Sequence, residues 1–132
     1  MTQKNIDIMD LIVTKLAEGV PFATALKETY IKRSVSIPFN DTQLNVSIDK
    51  LGMSKKITYA LIRGGISTIA DIVQYCKRQK ITTLKGVGVS MGIEVFEAML
   101  NYLWDNMSTS ERVDFLIDIV EKNEDNLREE LM

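Results

Sequence analysis

Apolar residues recur at helical spacing through most of the chain, interrupted by glycine, proline and short polar clusters. Ile8, Met9, Ile12, Val13 and Leu16 fall at the three- and four-residue intervals of an amphipathic helix, which Gly19 closes. Pro21 suits the first turn of a second helix, with Phe22, Ala25, Leu26 and Tyr30 along one side. The stretch SVSIPFN at residues 34–40 alternates polar and apolar positions, but Pro38 limits it to a short extended or edge segment. Turn-forming residues then cluster at 40–43, which reads as a linker.

Beyond the linker the pattern becomes more regular. Ser54 is placed to cap a helix that runs to Gly64-Gly65, where a glycine in the left-handed conformation can end it. Ser67-Thr68 begin the next helix, with Ile69, Ile72 and Val73 pointing inward. A short turn at 81–84 leads into the corner LKGVGVSMG, and a last helix of this segment carries Ile93, Phe96, Met99, Leu100 and Leu103. Helix, glycine turn, helix therefore occurs twice, a pseudo-repeat of helix-hairpin-helix type. Near the end of the chain, Ser108 and Glu111 have capping-box spacing, and Val113, Leu116, Ile117 and Val120 form an apolar stripe. Leu127 and Leu131 extend it weakly among acidic residues, as expected of a surface helix with a frayed acidic end; a docking helix for a partner protein is the other reading.

The fold expected is all-α: a compact helical bundle with two helix-hairpin-helix-like glycine turns, plus N-terminal and C-terminal helical extensions. The boundaries read as 1–40, 41–107 and 108–132.

Composition narrows the chemistry. A chain of 132 residues with 45% apolar and 26% charged residues has the size and balance of a single folded domain. No apolar run approaches the roughly 18 residues of a membrane span, and the start MTQKNIDIMD lacks the features of a secretory signal, so a soluble cytoplasmic protein is expected. Cys76 is the only cysteine and there is no histidine. Imidazole-based nucleophilic catalysis, imidazole or multi-thiolate metal sites and a histidine pH switch are excluded. The expectation is a protein that is not an enzyme and needs no metal or cofactor. Net charge is −2, unevenly spread: residues 41–107 carry eight Lys/Arg against six Asp/Glu, and residues 108–132 carry three against eight.

One segment carries a more distinctive run of residues. It runs from Ile48-Asp49-Lys50-Leu51 and Met53-Ser54 through Ala60-Leu61-Ile62-Arg63-Gly64-Gly65-Ile66-Ser67-Thr68-Ile69-Ala70-Asp71-Ile72 to Leu84-Lys85-Gly86-Val87-Gly88. Over about residues 45–104 it resembles the C-terminal domain of the bacterial RNA polymerase alpha subunit. The resemblance implies a helical bundle that binds the DNA minor groove, A·T-rich duplex above all, and touches transcription activators and sigma factor. Carried over by position, the family's principal groove arginine is Lys56 here and its nearby asparagine is Tyr59. Gly88 is kept, while the basic, lysine and serine positions after it become Val89, Ser90 and Met91.

The glycine corner admits no nucleotide fingerprint. G-x-G-x-x-G would need glycine at Met91, and a P-loop would need Gly-Lys-Ser/Thr. As a helix-hairpin-helix corner it is either a structural turn, its third glycine allowing close helix packing, or a contact to a DNA backbone. Free amides at a helix start, a glycine that admits the backbone and nearby cations are what phosphate recognition requires. The candidate DNA-binding residues are Lys55, Lys56, Arg63, Lys85, Gly86, Gly88 and Ser90. The reading is a non-enzymatic DNA-binding, transcription-associated protein. Its alternative is a protein-interaction module, a small phage- or plasmid-type modulator that engages RNA polymerase, sigma factor or a regulator. The N-terminal helices, with their apolar stripes, are a candidate homodimer contact.

Overall fold

Every regular element is helical in the computed structural model, which describes residues 1–31 and 35–132. The α-helices are α1 (Gln3–Ala17), α2 (Phe22–Thr29), α3 (Asp41–Leu44), α4 (Lys55–Arg63), α5 (Ile69–Arg78), α6 (Val89–Asp105) and α7 (Thr109–Lys122), joined by loops and short 3₁₀ turns. Among the described residues there is no strand, only the isolated bridges Tyr30–Leu127 and Ser47–Thr68. Of the expected extended segment, Ser34 lies outside the described residues, and 35–40 has no regular structure. No helix among the described residues is long and apolar enough to cross a membrane.

The chain divides into two compact units, residues 1–38 with 104–132 and residues 39–103. The first therefore joins the two ends of the sequence, which the sequence pattern treats as separate segments. The Thr2 side chain accepts from Asn5 N to start α1, and Gly19, at φ 91°, follows its end. Pro21 is the N-cap of α2, one position before the first turn expected for it. Phe22 stacks on Trp104 with ring centroids 4.3 Å apart and lies 5.9 Å from Phe115. Arg112 sits over the Trp104 ring, and its Nε donates to the Trp104 carbonyl at 3.0 Å. Trp104 is thus a core anchor. The demand for Phe115 at this cluster sets the phase of α7: Phe115, Leu116, Ile119 and Val120 are buried, whereas Val113 of the expected stripe faces out. Val13 of α1 is exposed as well.

The acidic end is not frayed. Buried Asn123 donates to the carbonyls of Ile119 and Ser36 at 2.8 and 2.9 Å and accepts from Ser36 N at 2.8 Å. Leu127 is buried beside Tyr30, and Arg128 donates from its backbone N to Thr29 O and from Nε to Lys27 O, at 3.1 and 2.7 Å. Asn5 Nδ2 donates to Glu124 Oε1 at 2.7 Å. Backbone groups of a tail held only by short 3₁₀ turns need further partners, and the end of α2 supplies one for Arg128 N.

In the second unit, residues 40–43 form a helical turn rather than a linker. Asn40 and Gln43 cap each other reciprocally, so the turn-forming residues start α3. Ser54 caps α4, Gly65 at φ 83° follows it, and Thr68 with Asp71 forms a capping box for α5. The chain before α4 is tied to the start of α5 by Ile48 N to Ser67 O and Ile69 N to Val46 O, both 3.0 Å. Ile48, Leu51, Ile57, Leu61, Ile69, Ile72, Val95, Met99 and Leu103 make the core. Phe96 of α6, expected inside, is partly exposed.

Two predictions concern titratable groups. Tyr30 has 0% exposure and its hydroxyl finds no partner among the described residues, so burial pushes its pKa up to about 12. The folded state holds the phenol neutral while the unfolded chain ionises near 10, so stability present below 10 falls as pH rises towards 12. Tyr30→Phe removes an unsatisfied buried group; urea unfolding is expected to show a gain of about 1 kcal/mol and a flatter alkaline limb. Asp71 accepts from Ser67 N, Ser67 Oγ and Thr68 N at 2.9, 3.0 and 3.2 Å, and the Ser67 backbone bond above all holds its pKa below the usual carboxylate range. Its contribution is present above that range and lost as pH falls through it. In acid titrations of thermal stability, Asp71→Asn is expected to give a smaller pH dependence below about pH 4.

Candidate nucleic-acid interface

The two glycine turns meet where Leu84 packs on the bare backbone of Gly64. A Cβ at Gly64 would stand 2.5 Å from Leu84 Cδ2, so buried Leu84 occupies space that any other residue at 64 would take. Gly86, two residues on, has φ 86°, and a Cβ there would lie 3.8 Å from both Ala60 Cβ and Arg63 Nη2. The corner therefore rests on the last turn of α4, with the Arg63 guanidinium beside it. Gly92 has the packing role expected of the third glycine: a Cβ there would be 2.9 Å from Ile81 Cγ2. Packing and backbone conformation thus account for Gly64, Gly86 and Gly92.

Gly88 stands apart. Its φ is not positive, nothing lies within 4 Å of where a Cβ would be, and it is exposed. Its carbonyl accepts from Gly92 N at 2.9 Å, so it sits at the head of α6, a position that Ser or Asp would cap better. The other described glycines each have a positive φ or a close neighbour. An N-cap accepts glycine but does not require it, and the open space here also leaves room for close approach by an outside group. The first turn of α6 holds no acidic residue, and Val89 and Ser90 are exposed.

Helix α4 turns Ile57, Ala60 and Leu61 to the core. That phase puts Lys55, Lys56, Tyr59, Ile62 and Arg63 on the outer face, all exposed. Lys55 and Lys56 occupy the first turn, where the helix dipole disfavours cations. Lys85 is exposed at the corner. None of these four cations enters an ion pair among the described residues, where the ion pair found is Lys15–Glu28 at 2.7 Å. Of the seven candidate residues, the fold brings Arg63 to Gly86 and keeps Lys85, Gly88 and Ser90 beside it in sequence. Lys55 and Lys56 share the α4 face but begin about 12 Å away along its axis, at 1.5 Å per residue.

Two residues of this surface, Tyr59 and Ile62, have no place in the candidate set. Tyr59 is 59% exposed and lies at the centre of the α4 face; Ile62 is 49% exposed beside it. The signal was the spacing 55, 59, 62, 63, an i, i+4, i+7, i+8 series opposite the core residues.

Other polar groups are engaged within the fold. The Asp71 carboxylate is spent on its capping box, although it borders a hollow of about 350 Å³ with Gly64, Gly65, Gln74 and Arg78. The Cys76 thiol is half-buried, and burial pushes its pKa up, away from the thiolate a nucleophile needs. No cluster of Cys, Asp and Glu among the described residues is arranged to hold a metal.

The glycines predict opposite outcomes. Gly92→Ala gains about 1 kcal/mol of helix propensity but overpacks Ile81, at about 1–3 kcal/mol, and a net loss of about 1 kcal/mol is expected in denaturant unfolding. Gly88→Ser is expected to leave stability unchanged or raise it by about a few tenths of a kcal/mol.

Compared with known proteins, the chain matches no family model, no curated protein and no solved structure.

Proposed function

We propose that residues 39–103 form a non-enzymatic DNA-binding module, transcription-associated as the resemblance to the polymerase alpha-subunit domain implies. It contacts the sugar-phosphate backbone through the corner of Arg63, Lys85, Gly86, Gly88 and Ser90 and the α4 cations Lys55 and Lys56. The observation that carries this reading is Gly88, a glycine with open space around it at the head of a helix, near in sequence to cations without ion pairs. A phosphate fits that setting: helix-terminal amides point at it, and no Cβ or first-turn carboxylate opposes it. The unit itself is basic, with eight Lys/Arg against five Asp/Glu in residues 39–103.

A second reading is favoured by the apolar residues this unit exposes. Val89 is 72% exposed, adding to Tyr59 and Ile62, and such a surface also suits a protein partner from the transcription machinery.

The test is a salt titration of binding to A·T-rich duplex DNA by fluorescence anisotropy. Wild-type affinity is expected to fall linearly with salt on logarithmic axes. Lys56→Ala should weaken binding and shallow the slope by about one unit, Lys85→Glu should weaken it further, and Gly88→Ser should weaken it without loss of stability. Absence of binding to this duplex and to a single strand of the same sequence at low salt, or variants indistinguishable from wild type, would sink the proposal.

A further inference from the structure

The centre of the α4 face is aromatic, and that constrains which form of nucleic acid suits it. Tyr59 has Lys55 and Lys56 one turn before it and Arg63 one turn after it, with Ile62 alongside. Its ring stacks on no other ring and under no guanidinium among the described residues. Its hydroxyl has no hydrogen bond there either. The arrangement is a π-surface and an aliphatic side chain framed by unpaired cations, with no acidic residue anywhere on the helix KKITYALIR.

Duplex DNA makes poor use of such a face. Its base faces are covered by stacking, so a side chain meets base edges, and reading edges takes Arg, Asn or Gln. The α4 sequence has no Asn or Gln, and its one arginine lies at the far end, beside Gly86. The minor groove, about 6 Å wide, does not admit a helix about 10–12 Å across. A single strand offers what a duplex hides. Its unstacked bases present faces to an aromatic ring while its phosphates track the flanking cations.

We infer that the α4 face binds single-stranded DNA, with Tyr59 as the platform on which a base stacks, Ile62 as its apolar flank, and Lys55, Lys56 and Arg63 holding the backbone. This rests on the nucleic-acid reading above and specifies its substrate. The strand then runs along α4 from Lys55 to Arg63 and reaches the Gly86–Gly88 corner, where the absence of side chains lets its backbone pass.

The experiment compares an oligothymidylate strand with a blunt duplex of equal length, at matched salt, by anisotropy. Wild type is expected to bind the strand more tightly than the duplex. Tyr59→Ala should lose about tenfold on the strand and change little on the duplex, because stacking of one base is what the variant removes. Tyr59→Phe should retain strand affinity, since the ring face is kept, whereas Lys56→Gln should weaken both ligands and reduce both salt slopes. Both Tyr59 variants leave the core untouched. The inference is overturned if Tyr59→Ala binds the strand like wild type, if it weakens strand and duplex equally, or if Tyr59→Phe behaves like Tyr59→Ala. It is also overturned if Tyr59 is needed instead for binding an acidic amphipathic peptide. Duplex bound as tightly as the strand overturns the inference and leaves the DNA reading standing; no binding of either at low salt overturns both.

Discussion

Leu84 packed on the bare backbone of Gly64 is the contact from which the candidate interface follows. A leucine methyl group can approach a helix end this closely only where no Cβ stands in the way. Burying Leu84 removes apolar surface worth about 1.5–3 kcal/mol from water, and it also pins one glycine turn to the other. Once Leu84 is seated, the chain must reverse over the last turn of α4. Gly86 makes that reversal at a positive φ beside Ala60 and Arg63. Arg63, from α4, and the turn at Gly86, three residues before α6, become neighbours for a packing reason, before any ligand is considered.

The unit made from the two chain ends solves a different problem. Its acidic tail cannot bury much apolar surface, so it is held by backbone and amide hydrogen bonds to α2 and to the loop at Ser36, with Leu127 as its one buried apolar side chain beyond α7. Much of the chain's negative charge is gathered here, since residues 104–132 carry nine acidic residues and three basic ones. The chain's net charge of −2 therefore conceals a basic second unit. Attraction of a polyanion depends on the local field within about a Debye length, roughly 10 Å, and not on the sum over the sequence.

Three features of the second unit run against what folding alone would select. Cations open α4 at the positive end of its dipole, glycine heads α6 where a capping side chain would serve better, and a tyrosine ring is left in solvent. Each is small in energy, and any one would be unremarkable on a protein surface. Two of them lie on the exposed face of α4, and the third is two residues past Gly86, which rests on the last turn of α4. Local disagreement with folding rules, concentrated in one place, is where a binding function is best sought.

What could be read from the sequence is what is local. The capping residues Ser54, Thr68 and Ser108, the glycines that follow α1 and α4, and the all-α class depend on residues within a turn of one another. The face each helix buries was only half legible. Apolar spacing on α7 is compatible with Val113 and Ile117 inside or with Phe115 and Ile119 inside, and the Phe22–Trp104 stack chose the second. Likewise, Asn40 and Gln43 look like turn residues until their reciprocal hydrogen bonds make them the start of a helix. The corner LKGVG could be recognised as a glycine turn, but not which glycine serves the fold. Positive φ at Gly86, contact at Gly92 and open space at Gly88 are properties of neighbours distant in sequence. Local hydrogen bonding is encoded within a few residues, whereas burial is decided by whatever the rest of the chain places opposite, and only the tertiary structure supplies that.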